Sequence, residues 1–158
     1  MSSESAPKAN GTSILWQRLD VPGHDFAVLD VEPAGAVIRG MAIFHDEAGP
    51  SALSYTVHCD RDWRTTEAQV RGWTGSRTVE LLVARESAGR WTLNGAAWPA
   101  ATLTPLVQRY RRDTGAEYFY EADLPNEQPF AGILRVAPSG WVVDYAGLWQ
   151  AHGPIDHA

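Results

Sequence analysis

Four side chains whose functional groups suit ligand binding or catalysis lie together between two strand-like segments of the chain. They are Asp60, Asp62, Trp63 and Arg64, in the middle of residues 55–73. Carboxylate and guanidinium groups hydrogen-bond sugar hydroxyls, and an indole ring offers an apolar face to sugar C–H groups. Two interpretations stay open. Asp60, Trp63 and Arg64 line the mouth of a head-group site, or an Asp60–Arg64 ion pair fixes the corner while Trp63 caps the core.

The remaining reactive groups lack the neighbours that catalysis or metal binding requires. His58 stands next to Cys59, but adjacent strand residues point to opposite faces, so the imidazole does not activate the thiol. Cys59 is therefore predicted to be a buried, inert thiol. The five histidines show no i, i+2 strand pair and there is no second cysteine, so no metal site is predicted. We expect no cofactor and no catalytic residues.

Composition and charge restrict the class of partner. The chain has 158 residues and a formal net charge of -6, whereas nucleic-acid binding requires a basic face. A single cysteine fits a reducing compartment. The N-terminal residues contain no apolar signal region, and no apolar run is long enough to span a membrane. The sequence predicts a cytoplasmic protein that binds no nucleic acid and is not inserted in a membrane.

Strand-like segments recur about every ten residues, with Gly or Pro between them. Alternation of apolar and polar residues is clearest in segments 53–59 and 65–73. This pattern is typical of an all-β antiparallel sandwich or barrel. We predict a disordered leader over residues 1–12, a single β domain over 13–149 and a flexible tail over 150–158.

The second half of the chain is less regular. Residues 102–110 are strand-like but contain Pro105, which predicts an edge strand or a bulge. Residues 117–122 are predicted to pair with them across a turn at 113–115. No element is predicted from Gly147 onward.

Seven tryptophans give this domain unusual aromatic bulk. Most are expected to fill a β core and to form cross-strand pairs. Trp63 and Trp91 are predicted instead to line an apolar ligand cavity that has polar groups at its mouth.

Several segments of the chain, in order, resemble the bacterial family of putative glycolipid-binding proteins from about residue 13 to residue 149. These segments are ILWQRLD, PGHDFAVL, VHCDRDWRT, RWTLNG, LTPLVQRYRR and GWVVDYAGLW. The resemblance implies a strongly curved antiparallel sheet that forms an incomplete barrel, similar in shape to bacterial lipoprotein carriers. A block that relatives carry is missing after Gly95. Its absence implies that strands are lost from the middle of the sheet, so that either neighbouring strands re-pair or two chains share an exposed edge as a homodimer.

The resemblance and the residues together predict non-catalytic binding of a small amphipathic ligand, a glycolipid, in an apolar barrel-like cavity. The predicted binding residues are Asp60, Trp63, Arg64 and Trp91. The alternative is a hydrolase or isomerase that acts on a small carbohydrate or lipid at the same corner.

Overall fold

The chain forms β-strands connected by short turns. The computed structural model describes residues 11–87, 89–94, 96–97, 106–123 and 128–152. Within these ranges there is no helix long and apolar enough to cross a membrane. The thirteen strands of the described residues are β1 (Thr12–Arg18), β2 (Gly23–Glu32), β3 (Gly35–Asp46), β4 (Gly49–Cys59), β5 (Thr65–Thr74), β6 (Arg77–Arg85), β7 (Trp91–Leu93), β8 (Ala96–Ala97), β9 (Val107–Arg112), β10 (Glu117–Asp123), β11 (Phe130–Val136), β12 (Val142–Tyr145) and β13 (Trp149–Ala151).

All the strands belong to one antiparallel sheet, in the order β8-β7-β6-β5-β4-β3-β2-β1-β13-β12-β11-β10-β9. Strands β1 to β8 form one half as successive hairpins, and β9 to β13 form the other half and return to pair with β1. The all-β antiparallel prediction is confirmed. Among the described residues β8 and β9 are not paired, so the sheet is not closed into a barrel.

The predicted position of the missing block lies between Gly95 and Thr102 in the chain. Within the described residues, the strands nearest to it are β7, β8 and β9, and β8 and β9 are the two ends of the sheet. Antiparallel neighbours in sequence stay neighbours in this sheet, so a deletion between β8 and β9 affects edges and leaves the interior pairing intact.

The predicted hairpin of residues 102–110 and 117–122 is confirmed for its described part, because β9 pairs with β10 and Tyr110 lies opposite Tyr120. β9 is also an edge strand, as predicted. Pro105 lies outside the described residues, as do residues 1–10 of the predicted leader and 153–158 of the predicted tail.

The prediction that no element follows Gly147 was wrong. β13 is three residues long and pairs with β1, so that Trp149 lies opposite Arg18 and Ala151 opposite Trp16. Three residues are too few to show an alternating pattern. The strand is specified by long-range pairing with the start of the chain, which a local pattern does not report.

A cluster of buried residues centres on Tyr120 of β10, which is almost fully buried. Its ring centroid lies 5.0 Å from that of Tyr110, 5.3 Å from Tyr145 and 5.9 Å from Phe130. Its hydroxyl accepts a 2.9 Å hydrogen bond from Nε2 of Gln108. Aromatic pairs of this kind add about 0.5–1.5 kcal/mol each beyond the area they bury. They fix the β9–β12 half of the sheet.

The opposite face of the sheet carries exposed apolar side chains. Leu15, Phe26 and Met41 lie directly opposite one another on three adjacent strands and are each more than a third exposed. Ile43 and Trp73 are more than half exposed on the same face. A large apolar side chain is therefore not by itself a marker of the buried face in this sheet.

Candidate functional site

A cavity of about 300 Å³ lies where the two halves of the sheet meet. Because β1 pairs with β13, side chains from β1, β2 and β4 come beside others from β12 and β13. The volume is at the lower end of the range for pockets that bind small molecules. The cavity is lined by Trp16, Asp25, Tyr55, Val142, Tyr145 and Trp149.

The polar part of the wall is a hydrogen-bonded pair from two strands that are not adjacent. The phenol of Tyr55 on β4 donates a 2.8 Å hydrogen bond to Oδ1 of Asp25 on β2. Tyr55 crosses β3 at Gly40, the residue opposite it in the register. A Cβ atom at Gly40 would lie 2.2 Å from Cζ of Tyr55. The glycine therefore provides the space in which the ring lies.

Burial governs the protonation of this pair. It raises the pKa of Asp25 above its ordinary value, while the hydrogen bond from Tyr55 and the charge of Arg18 act in the opposite direction. Burial, and then the hydrogen bond to Asp25, raise the pKa of the Tyr55 phenol well above its ordinary range. Tyr55 therefore stays a neutral donor, and Asp25 offers its remaining lone pairs to a hydroxyl group.

The indole N–H groups of Trp16 and Trp141 are both hydrogen-bonded within the protein. Nε1 of Trp16 donates a 2.7 Å hydrogen bond to the carbonyl of Val142, two strands away. The edge of the Trp141 ring packs on Trp16, with centroids 5.6 Å apart, and Nε1 of Trp141 donates to Oγ1 of Thr12. With its N–H already bonded, Trp16 offers the cavity only an apolar face.

Arg18, a cation near the cavity, is already paired. The guanidinium of Arg18 lies over the rings of Phe44 and Trp149, at 4.7 and 5.0 Å from their centroids. Its Nε donates a 3.0 Å hydrogen bond to Asp20, whose pKa this contact lowers. Arg18 thus holds Trp149 in place by a cation–π contact, while Asp20 neutralises its charge. This arrangement disfavours an anionic ligand.

The corner that the sequence singled out is a tight turn held by Asp60. Oδ1 of Asp60 accepts 2.9 Å hydrogen bonds from the backbone N–H groups of Asp62 and Arg64. The N–H of Trp63 donates to the carbonyl of Asp60 at 3.0 Å. Trp63 has φ 61°, in the left-handed region that suits glycine in this type of turn.

The purely structural interpretation of the corner was wrong in both parts. Nη1 of Arg64 lies 3.5 Å from Oδ2 of Asp62 and not on Asp60, whose Oδ1 accepts the two backbone amides instead. Trp63 is 58% exposed and does not cap the core.

A shallow depression of about 110 Å³ lies at the corner and includes Asp60 and Trp63 among its lining residues. Arg64 is not among them. Trp91 lies on β7, two strands from β5, a separation of about 10 Å. The structure therefore brings together two of the four predicted binding residues, and the role of all four stays a prediction.

Cys59 at the end of β4 is a free thiol that is half-buried, not buried as predicted. It lies opposite Ala36 in the register, one residue on from the His58–Val37 pair. The two side chains therefore point to opposite faces, as the alternation required.

Sequence reasoning missed the larger cavity, which lies about 16 Å along β4 from the corner. Asp25 was not among the predicted site residues. Two signals favoured a different assignment. Asp25 shares the strand face of Ala27 and Leu29, so it places a charge among apolar residues. Gly40 interrupts a strand, which indicates close approach of another group.

Comparison with known proteins shows the family to which the chain belongs. No match was found among curated proteins or among solved structures. A family model described as "Putative glycolipid-binding" matches residues 13–102, more than half of the chain. The matched region contains Trp16, Asp25 and Tyr55, but not the part of the cavity wall on β12 and β13. The family's description supports a binding role and a lipid-like ligand, and the chain belongs to the family so described.

Proposed function

We propose that the protein binds, without converting it, an amphipathic molecule with an uncharged, hydroxyl-bearing head group, as in a glycolipid. The observation that carries this proposal is the aromatic cavity of about 300 Å³ with the Asp25–Tyr55 pair in its wall. Family membership supports the same class of ligand.

The wall chemistry suits a sugar ring or an alkyl segment. The faces of Trp16 and Trp149 accept C–H groups, and each apolar Å² removed from water contributes about 25 cal/mol. Asp25 accepts a hydrogen bond from a hydroxyl. The cavity volume is the volume that about ten water molecules take up in liquid water. It therefore holds one sugar or a short alkyl segment, and the rest of the ligand extends beyond the cavity.

The test is a titration with octyl β-glucoside below its micelle concentration, followed by tryptophan fluorescence and calorimetry. We expect octyl glucoside to bind more tightly than glucose, which lacks the apolar tail. It should also bind more tightly than octyl sulfate, whose charge the paired Arg18 does not compensate. Equal affinity for all three, or none for octyl glucoside, would refute the proposal.

Two variants locate the site. Trp149→Ala removes a cavity wall, and we expect octyl glucoside affinity to fall about tenfold. Trp73→Ala is the matched control, because Trp73 is 53% exposed on the opposite face. A loss of the same size in both variants would show that the cavity is not the site.

A second contact for the head group is supported at the corner by the backbone of Trp63. A bulky residue held in the left-handed region is a strained feature of the kind that concentrates at functional sites. In this proposal Asp60, Trp63 and Arg64 contact the part of the ligand that projects from the cavity, and Trp91, two strands from β5, makes a more distant contact with it. Trp63→Ala should then weaken the binding of a disaccharide glycolipid more than the binding of octyl glucoside. Trp149→Ala should weaken the binding of both.

The enzymatic alternative has less support. Oδ1 of Asp60 accepts two backbone N–H groups, which is a structural use of the carboxylate. We therefore expect no hydrolysis or isomerisation of an alkyl glycoside, and unchanged octyl glucoside binding in Asp60→Asn. Product formation by the wild type that Asp60→Asn abolishes would favour the enzyme.

A further inference from the structure

We propose that the free edge of β9 binds an acidic, extended peptide segment of a partner protein, which adds to the sheet as a further antiparallel strand. This inference concerns the end of the sheet and does not depend on the ligand cavity.

β9 is an open edge within the described part of the chain. It pairs with β10 on one side and is the last strand in the sheet order. All six residues from Val107 to Arg112 are exposed. In an antiparallel ladder alternate residues direct their N–H and C=O groups to the same side, so about half of the backbone groups of β9 face away from β10. Such a row is a template for another strand.

The edge is held in an extended shape before any partner arrives. Tyr110 packs on the buried ring of Tyr120, and Gln108 donates to the Tyr120 hydroxyl. Nη1 and Nη2 of Arg109 contact the two carboxylate oxygens of Asp123 at 3.3 and 3.1 Å. A strand ordered in this way loses little conformational entropy when a peptide adds to it.

The charge of β9 selects the partner. The chain has a net charge of -6, yet three of its thirteen basic residues lie in this six-residue strand. The guanidinium groups of Arg111 and Arg112 lie 5.3 Å from the ring centroids of Phe119 and Tyr118. No carboxylate of the described residues forms a salt bridge with either group. An acidic strand would supply the missing counter-charges.

The same charges disfavour the simplest rival occupant, a second copy of β9. Two antiparallel copies of this strand would bring arginines of one chain beside arginines of the other, and like charges on facing strands are destabilising. Arginine at an edge is also one way in which proteins prevent self-pairing. Val107 lies on the same face of β9 as Arg111, and Tyr110 on the same face as Arg112, so each face of the edge offers a partner one apolar and one basic contact.

The probe is a fluorescently labelled eight-residue peptide of two Glu-Glu-Val-Val repeats, which presents glutamate and valine on both faces of an added strand, and the readout is fluorescence anisotropy. We expect binding that weakens as the salt concentration rises. The matching lysine–valine peptide should bind at least tenfold more weakly. The glutamate–valine peptide N-methylated on alternate residues along one edge should also bind at least tenfold more weakly, because it cannot complete the hydrogen-bond ladder.

The double variant Arg111→Glu with Arg112→Glu should lower the affinity for the glutamate–valine peptide at least tenfold. The control is Arg71→Glu on β5, which should leave this affinity unchanged. Circular dichroism checks that each variant is folded, and the peptide comparisons decide the matter if one is not. Equal binding of the N-methylated or lysine peptide would overturn the proposal. So would a two-fold mass by light scattering that excess peptide does not reduce, since a second copy would then hold the edge.

Discussion

Tyr55 and Asp25 are joined by a 2.8 Å hydrogen bond although a whole strand, β3, lies between them. The bond exists because β3 has Gly40 at the crossing point, where no side chain obstructs the phenol ring. The polar wall of the cavity thus depends on a residue that contributes no side chain to it.

Replacing Gly40 with alanine should destabilise the protein. The added Cβ would lie 2.2 Å from the Tyr55 ring and 2.5 Å from the carbonyl oxygen of Phe26, so the ring must move off Asp25. Overpacking of this kind costs about 1–3 kcal/mol in free energy of unfolding, measurable by urea denaturation. Gly115→Ala is the control, because nothing lies within 4 Å of a Cβ there. Equal stability of Gly40→Ala and wild type would mean that the ring does not need the gap.

The stability of the protein should depend on the protonation of Asp25. Burial raises the pKa of this carboxyl above its ordinary 3.8, so the folded state binds the proton more tightly than the unfolded chain. Between the two pKa values the folded state holds more protons, and the free energy of unfolding therefore falls as pH rises through that window. Above the folded pKa the loss is complete and constant.

Asp25→Asn isolates this contribution, because asparagine still accepts the Tyr55 hydrogen bond but does not titrate. Urea denaturation at a series of pH values from about 3.5 to 7.5 should show the variant gaining stability relative to wild type as pH rises. In Tyr55→Phe the pKa of Asp25 should rise further, since the hydrogen bond that lowers it is gone. A constant difference between Asp25→Asn and wild type across the series would contradict the assignment.

The fold was largely predictable from sequence, whereas the main cavity was not. Local alternation of apolar and polar residues predicts strands such as β4 and β5, and Asp60 marks the turn between them. The cavity instead requires knowing that β13 pairs with β1, which brings Trp149 within reach of Trp16. That pairing joins residues more than 130 positions apart and leaves no periodic trace in a three-residue strand. Chemically conspicuous residues therefore drew attention to the corner and away from the cavity.

Trp63→Gly should raise the stability of the protein by up to about 1 kcal/mol. The left-handed conformation at φ 61° costs a residue with a side chain about 1–2 kcal/mol, and glycine avoids this at a smaller cost in unfolded-state entropy. Trp63 is 58% exposed, so little packing is lost. Trp73→Gly is the opposite case. It is similarly exposed but lies within a strand, where glycine costs up to about 1 kcal/mol. Urea denaturation that shows the same loss in both variants would exclude strain at Trp63.

Arg18→Lys should weaken ligand binding although Arg18 is not part of the cavity wall. The planar guanidinium lies over Trp149 and Phe44 and contacts Asp20 through Nε and Nη2, and an ammonium group does not reproduce this geometry. Each cation–π contact is worth about 0.5–1 kcal/mol, so we expect a stability loss of about 1 kcal/mol.

The octyl glucoside affinity of Arg18→Lys should fall severalfold because Trp149 is less firmly held. Arg39→Lys is the matched control, since Arg39 pairs with Asp30 on the opposite face of the sheet. Urea denaturation compares the stability of Arg39→Lys with that of Arg18→Lys. The octyl glucoside affinity of Arg39→Lys should equal that of wild type. If Arg18→Lys lost stability but kept full affinity, Trp149 would not need the guanidinium to form the cavity wall.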